Sequence, residues 1–245
     1  MAVDEASPPA TAIALTRGAV AEGVGTALLV AIVVGSGIFA QRLSPGDRGL
    51  QLLANSTATA FGLMALILAF GNVSGAHFNP VVTLADRVLG GLDTRRSLVY
   101  IGAQLVGGCA GAVIANLMFD LPVVEWSTHT RTGSGLWLGE VVATFGLLTV
   151  ILGVVRSGQT AAAPFAVGAY IGAAYWFTSS TSFANPAVTV ARMLTDTFAG
   201  IRPHSVPVFI LAQCAGAIAA VALARFLHPA LPDDAERIVL PYDGA

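Results

Sequence analysis

Two ten-residue stretches, HFNPVVTLAD at 77–86 and FANPAVTVAR at 183–192, each set an Asn-Pro dipeptide at the head of a short apolar run. Asn is a preferred helix N-cap, because its side-chain oxygen accepts from backbone donors that a helix start leaves unpaired. Pro suits the first helical position, where its preset φ and missing N–H cost nothing. Asn79-Pro80-Val81 and Asn185-Pro186-Ala187 therefore read as two helix starts. With the oxygen engaged as a cap, each Asn NH₂ is left to donate outward. Each helix end carries about +0.5 elementary charge, so it suits neutral hydrogen-bond acceptors and disfavours cations, hydronium included.

These two helices need a scaffold, and composition says which kind. The chain has 245 residues, 55% hydrophobic and 11% charged, with a mean hydropathy of +0.76. A soluble domain carries about 25% charged residues, so this is a membrane protein. Crossing about 30 Å of hydrocarbon takes roughly 20 apolar residues. Six runs qualify, at approximately 18–40, 49–71, 97–119, 133–155, 158–178 and 205–224. The Asn-Pro segments, from Asn79 to Gly90 and from Asn185 to Thr195, would be only about 17 Å long as helix at 1.5 Å per residue. They cannot cross. A short apolar helix at membrane depth must be re-entrant, its irregular approach loop buried in protein or lining a water-filled cavity.

The chain also repeats. AEGVGTALLV and GEVVATFGLL align Glu22 and Thr26 with Glu140 and Thr144; YIGAQLVGG and FILAQCAGA align Gln104 with Gln213 and Gly107 with Gly216. The Asn-Pro runs align Asn79 with Asn185, in the same order. Each half holds three spans, an odd number, so the second half is inverted relative to the first. The two re-entrant helices then enter from opposite faces and meet N-terminus to N-terminus near the midplane. The domain reading is a short disordered tail over 1–16, a channel domain over 17–227 (repeat one about 17–119, repeat two about 133–227), and a polar tail over 228–245. The first segment has acids and no basic run, so it does not read as a signal peptide.

Six spans, the paired SGAHFNPVVTLA and SFANPAVTVA, a Glu in spans one and four, and YIGAQLVGG resemble the aquaporin or major intrinsic protein family over roughly residues 17–226. The resemblance implies an all-α membrane fold: a right-handed bundle of six tilted transmembrane helices plus two half-helices, with a pore in each protomer and usually a homotetramer. The first motif departs from the family's Asn-Pro-Ala, having Val81 in the Ala place. Members usually carry Arg directly after the second motif, and this chain has Val188. Transferring the other constriction positions by spacing from the two Asn residues gives Thr59, Ala173 and Ser182. All four are uncharged and small or medium in size, and pore diameter and lining groups set selectivity. A wide filter for small neutral solutes such as water, glycerol and urea is expected. Val188 followed by TVARMLTDTFAGI looks most like a bacterial group associated with arsenic resistance, which adds arsenite, As(OH)₃, or methylated arsenicals to the solutes. No cofactor and no metal site are expected.

Other residues carry two readings each. Glu22 and Glu140 are acids inside spans, by default proton relays or ion sites; their symmetric placement favours accepting backbone N–H groups of the re-entrant loops, as the matching Glu does in the family. Arg192, four residues after Val188, either lines the outer vestibule or pairs with protein carbonyls and loop acids. His77 either gates the cytoplasmic approach with pH or packs its loop. Cys109 and Cys214 lie in apolar spans and read as packing residues, as do the small-residue pairs Gly107/Gly111 and Ala212/Gly216.

Charge supplies what remains. The 12 basic residues are all Arg, against 14 acids, which offers no basic stripe for nucleic acid. With cytoplasmic termini, seven Arg fall on that side and five opposite, which weakly supports that orientation in a cell inner (plasma) membrane. A secondary transporter with inverted repeats is the main alternative; it would need coupling groups near its site, and only the two Glu offer themselves. An intramembrane hydrolase built on Ser74 and His77 is the enzyme alternative, and repeat symmetry already accounts for that loop.

Overall fold

The computed structural model describes residues 10–228, so the tail expectations for 1–9 and 229–245 lie outside the described residues. Six long helices carry the bundle: α1 (Ala10–Leu43), α2 (Arg48–Ser74), α4 (Thr94–Met118), α5 (Ser134–Arg156), α6 (Ala163–Phe177) and α8 (Val206–Leu227). Two short ones, α3 (Pro80–Leu89) and α7 (Pro186–Ala191), are the Asn-Pro segments. Helix α1 starts well before residue 18, so 10–16, expected as tail, are helical; the ATAIALTR run has no Gly or Pro, and its Ala, Leu and Arg residues favour helix.

Among the described residues five helices are long and apolar enough to span a membrane. The expected span at 158–178 is the exception in length: α6 has 15 residues, preceded by a 3₁₀ turn at Thr160–Ala162. Caps set several boundaries. Asp47 accepts from the Leu50 amide and Asp93 from the Arg96 amide, while α2 stops at Gly75 in the left-handed conformation, φ 85°. The protein is thus a multi-pass α-helical membrane protein.

Packing repeats with the sequence. Helix α1 lies against α4 and α2, and α5 against α8 and α6. The approach at the first contact is so close that a Cβ on Gly107 or Gly111 would overlap the carbonyl oxygens of Gly23 and Ala27. Gly216 meets Val141 in the same way in the second half. Small residues allow this, and in lipid close backbone contact replaces the hydrophobic drive between helices. Large apolar side chains such as Val106, Leu211 and Ile218 face outward, as lipid requires. Cys109 and Cys214 are free and half-buried.

Candidate pore

The two half-helices start as their sequence directs. Asn79 caps α3 by accepting from the Val81 amide at 3.1 Å, and Asn185 caps α7 from the Ala187 and Val188 amides at 3.0 and 3.3 Å. Pro80 and Pro186 occupy the first helical turn. Helix α3 runs for ten residues, whereas α7 is α-helical for six and continues as a 3₁₀ turn, Arg192–Leu194. The Asn amides, expected to donate outward, also reach across to the opposite half. Asn79 Nδ2 donates to the Ala184 carbonyl at 2.8 Å and Asn185 Nδ2 to the Phe78 carbonyl at 2.7 Å, so each amide spends one hydrogen tying the opposite loop. An NH₂ has two donors, so each amide keeps a second hydrogen, and both Asn residues line the cavity described below.

The approach loops are built alike. Residues one and three before each Asn take left-handed backbone: Phe78 (φ 49°) and Ala76 (φ 50°) in the first, Ala184 (φ 47°) and Ser182 (φ 50°) in the second. Non-glycine residues adopt this region at a cost and keep it where their surroundings over-determine it. A buried carboxylate supplies that determination. Glu22 accepts from the His77 and Phe78 amides at 2.9 and 2.7 Å, from Ser74 Oγ at 2.7 Å and from Gln104 Nε2 at 2.7 Å. Glu140 accepts from the Phe183 and Ala184 amides, both at 2.9 Å, and from Gln213 Nε2 at 2.6 Å. With their oxygens so occupied, both acids sit as scaffold behind the loops. Each Gln also donates to a half-helix threonine, Thr83 or Thr189, at 2.9 Å. Those threonines were missed from sequence, although they stand at matched places four residues after each Asn.

Between the loops and the long helices runs a cavity of about 860 Å³, mouths included. Its lining combines apolar side chains, Leu63, Ile67, Leu147, Ile151, Val167 and Ile171 among them, with residues 75–79 and 182–185 of the two approach loops. Of the expected constriction residues, Thr59, Ser182 and Val188 line it. Ala173 does not: it is exposed on the outer face of α6. Tyr175 and Ile171 face inward instead, since residues two apart on a helix lie about 200° around the axis. Tyr175 is buried, and its hydroxyl meets Thr59 Oγ1 at 3.2 Å, which joins α2 to α6 at the cavity wall. An aromatic side chain, absent from the four expected filter positions, thus stands at the cavity wall. Ser182 Oγ is buried without a protein partner.

Arg192 takes part of both readings offered for it. It is 2% exposed, its Nε donates to the Ala199 carbonyl, and it also lines the cavity, with its guanidinium 3.4 Å from the Phe183 ring centroid. Arg131, from the loop between α4 and α5, lies 5.0 Å from the same ring and donates to the Gly200 and Phe198 carbonyls. Nothing in its sequence neighbourhood marked it, because the contact joins segments some 50 residues apart. His77 lines the inner part of the cavity, with Nδ1 3.0 Å from Thr83 Oγ1 and Nε2 3.4 Å from Asp86. Among the described residues no group of His, Cys, Asp and Glu could hold a metal ion.

The Major intrinsic protein family profile matches residues 10–182 and 159–241. Aquaglyceroporin AqpS of Rhizobium meliloti (strain 1021) is 52% identical over 219 residues, covering 89% of this chain and 93% of its own. Aquaporin A of Dictyostelium discoideum is 32% identical over 224 residues, 86% of this chain and 78% of its own. The structure of the aquaglyceroporin from Plasmodium falciparum superposes with a TM-score of 0.69 at 23% identity, covering 89% of this chain and 98% of that one, which shows the shared fold. On the family match and these identities, the chain belongs to the major intrinsic protein family.

Proposed function

We infer that the protein is a passive membrane channel for water and glycerol-sized neutral solutes. One observation carries the reading: a cavity lined mostly by apolar side chains also takes in both Asn caps and the two approach loops. A small polyol can bury its CH edges against the apolar side chains and hydrogen-bond to the caps and loops. The two half-helix N-termini at its middle disfavour cations through their dipoles. Thr59, Ser182, Val188 and Tyr175 form the outer constriction, without an arginine at position 188. Urea and arsenite, neutral and close to glycerol in size and polarity, belong to the same solute class, and methylated arsenicals extend it. The protein works as a homotetramer in the cell inner membrane with both termini cytoplasmic.

The test is stopped-flow light scattering on proteoliposomes, comparing water, glycerol, urea and arsenite with empty liposomes. Passive, non-saturating entry of glycerol supports the channel. Flux that saturates and follows a proton or sodium gradient supports a secondary transporter instead.

A further inference from the structure

Histidine aside, Arg192 is the one charged residue among those lining the cavity. It reaches there from an unobvious place. Val188 stands one turn earlier on α7, and Arg192 begins the 3₁₀ turn that follows that helix. The side chain lies on the face of Phe183, a residue of the approach loop that itself lines the cavity. The stack sets the guanidinium against Phe183, the chain neighbour of Ser182, whose buried hydroxyl has no protein partner.

The position is held from three directions. Nε donates to the Ala199 carbonyl, and the Arg192 carbonyl accepts from the Ile201 amide at 3.2 Å. Phe183 in turn packs edge-on against Phe209, 5.3 Å between centroids, and carries Arg131 at 5.0 Å. Neither arginine has an acidic side chain within ion-pair distance among the described residues. Glu140 is the acid behind this loop, and its oxygens are occupied by the Phe183 and Ala184 amides and by Gln213. A cation–π stack fixes a guanidinium without neutralising it. The buried charge of Arg192 therefore stands at the lumen wall, with Arg131 and the Glu140 carboxylate as its charged neighbours.

We propose that Arg192, bent back over Phe183, is the specificity-determining cation barrier of the outer lumen, with the Ser182 hydroxyl as a solute-binding group. Oxygen-rich neutral solutes accept from the guanidinium and exchange hydrogen bonds with Ser182. Protons and alkali cations meet a fixed positive charge before they reach the two Asn caps. Arg131 acts through the ring and is a positioning residue.

The proposal rests on the channel reading, and one experiment separates them. Wild type, Arg192→Gln and Arg192→Lys are reconstituted; glycerol and water rates are read by light scattering, and proton leak by an entrapped pH dye under a potassium-valinomycin potential. Gln can still donate to Ala199 but carries no charge, and Lys keeps the charge without the planar stack. Proton leak is expected to rise about tenfold relative to water flux in the Gln variant and to stay near wild type in the Lys variant. A Gln variant as proton-tight as a conducting wild type overturns the proposal alone. Equal leak in both variants, with water flux altered in parallel, also overturns it, since the arginine would then be bracing the wall. A wild type that passes no neutral solute overturns the channel reading and the proposal with it.

Discussion

Asn79 donates through Nδ2 to the carbonyl oxygen of Ala184, 105 residues further along the chain, and Asn185 answers with a bond to Phe78. The two caps thus hold each other's loops, so the halves of the repeat are joined by side chains that also line the cavity. Asn79→Ala and Asn185→Ala each remove a cap and a crossing bond. Each is expected to cost about 2 kcal/mol, a cap being worth about 1 and a hydrogen bond about 1 more. Thermal unfolding in detergent checks this, and an unchanged midpoint would mean that neither bond supports the fold.

Glu22 and Glu140 each accept two approach-loop amides and a Gln Nε2, with Ser74 Oγ in addition on Glu22, which is what scaffold carboxylates would do. Glu22→Gln and Glu140→Gln turn one accepting oxygen into a donor facing backbone donors. Both should lower stability by about 3 kcal/mol, with little change in the pH dependence of any flux in the folded fraction. A variant that is fully stable yet loses a pH-dependent step would point to proton relay.

Tyr175 replaces Ala173 as the inward residue of α6. Tyr175→Ala should open the outer cavity and raise the glycerol rate more than the water rate, while Ala173→Leu, on the outer face, should leave both unchanged. Light scattering on proteoliposomes decides, and a strong effect of Ala173→Leu would return the constriction to the position expected from spacing.

Val188→Arg adds a side chain large enough to narrow the lumen and places a second guanidinium one turn from Arg192. Glycerol-sized flux is expected to fall more than water flux. Equal reduction of both with normal assembly would show that position 188 does not bound the constriction.

Gly107→Ala puts a methyl against the Gly23 carbonyl, whereas a Cβ on Gly102 meets nothing within 4 Å. The first should destabilise by about 1–3 kcal/mol through overpacking, and Gly102→Ala should be neutral or slightly stabilising. Similar unfolding midpoints for the two would contradict the close α1/α4 crossing.

Outside the spans, burial raises the carboxyl pKa of Asp196, but hydrogen bonds from the Thr128 amide and hydroxyl, with His129 nearby, outweigh it and set it below the ordinary 3.8. A depressed carboxyl contributes stability above its unfolded value and loses it as pH falls through the folded one. Asp196→Asn should therefore flatten the acid limb of stability below about pH 4. An acid limb unchanged by the substitution would mean that this loop contact is not coupled to folding.

Sequence alone determined the class of this protein, its repeat and its two short helix starts. Composition excludes a soluble fold, an odd number of spans per half forces inversion, and Asn-Pro is a helix start wherever a short apolar run follows it. These are local or counting properties, so they survive without coordinates. The glutamates were legible because the duplication placed them at equal spacing from equal partners. Tertiary structure decided the constriction. Spacing from Asn185 pointed to Ala173, but the rotation of α6 against α2 is set by packing, and it turns Tyr175 inward to meet Thr59. Arg192 was legible as a residue one turn beyond Val188; its fold back over Phe183, and the arrival of Arg131 at the same ring, depend on where two loops close over the outer mouth. Which side chain faces a lumen is a property of helix rotation and loop closure, and both are fixed by contacts between segments far apart in the chain.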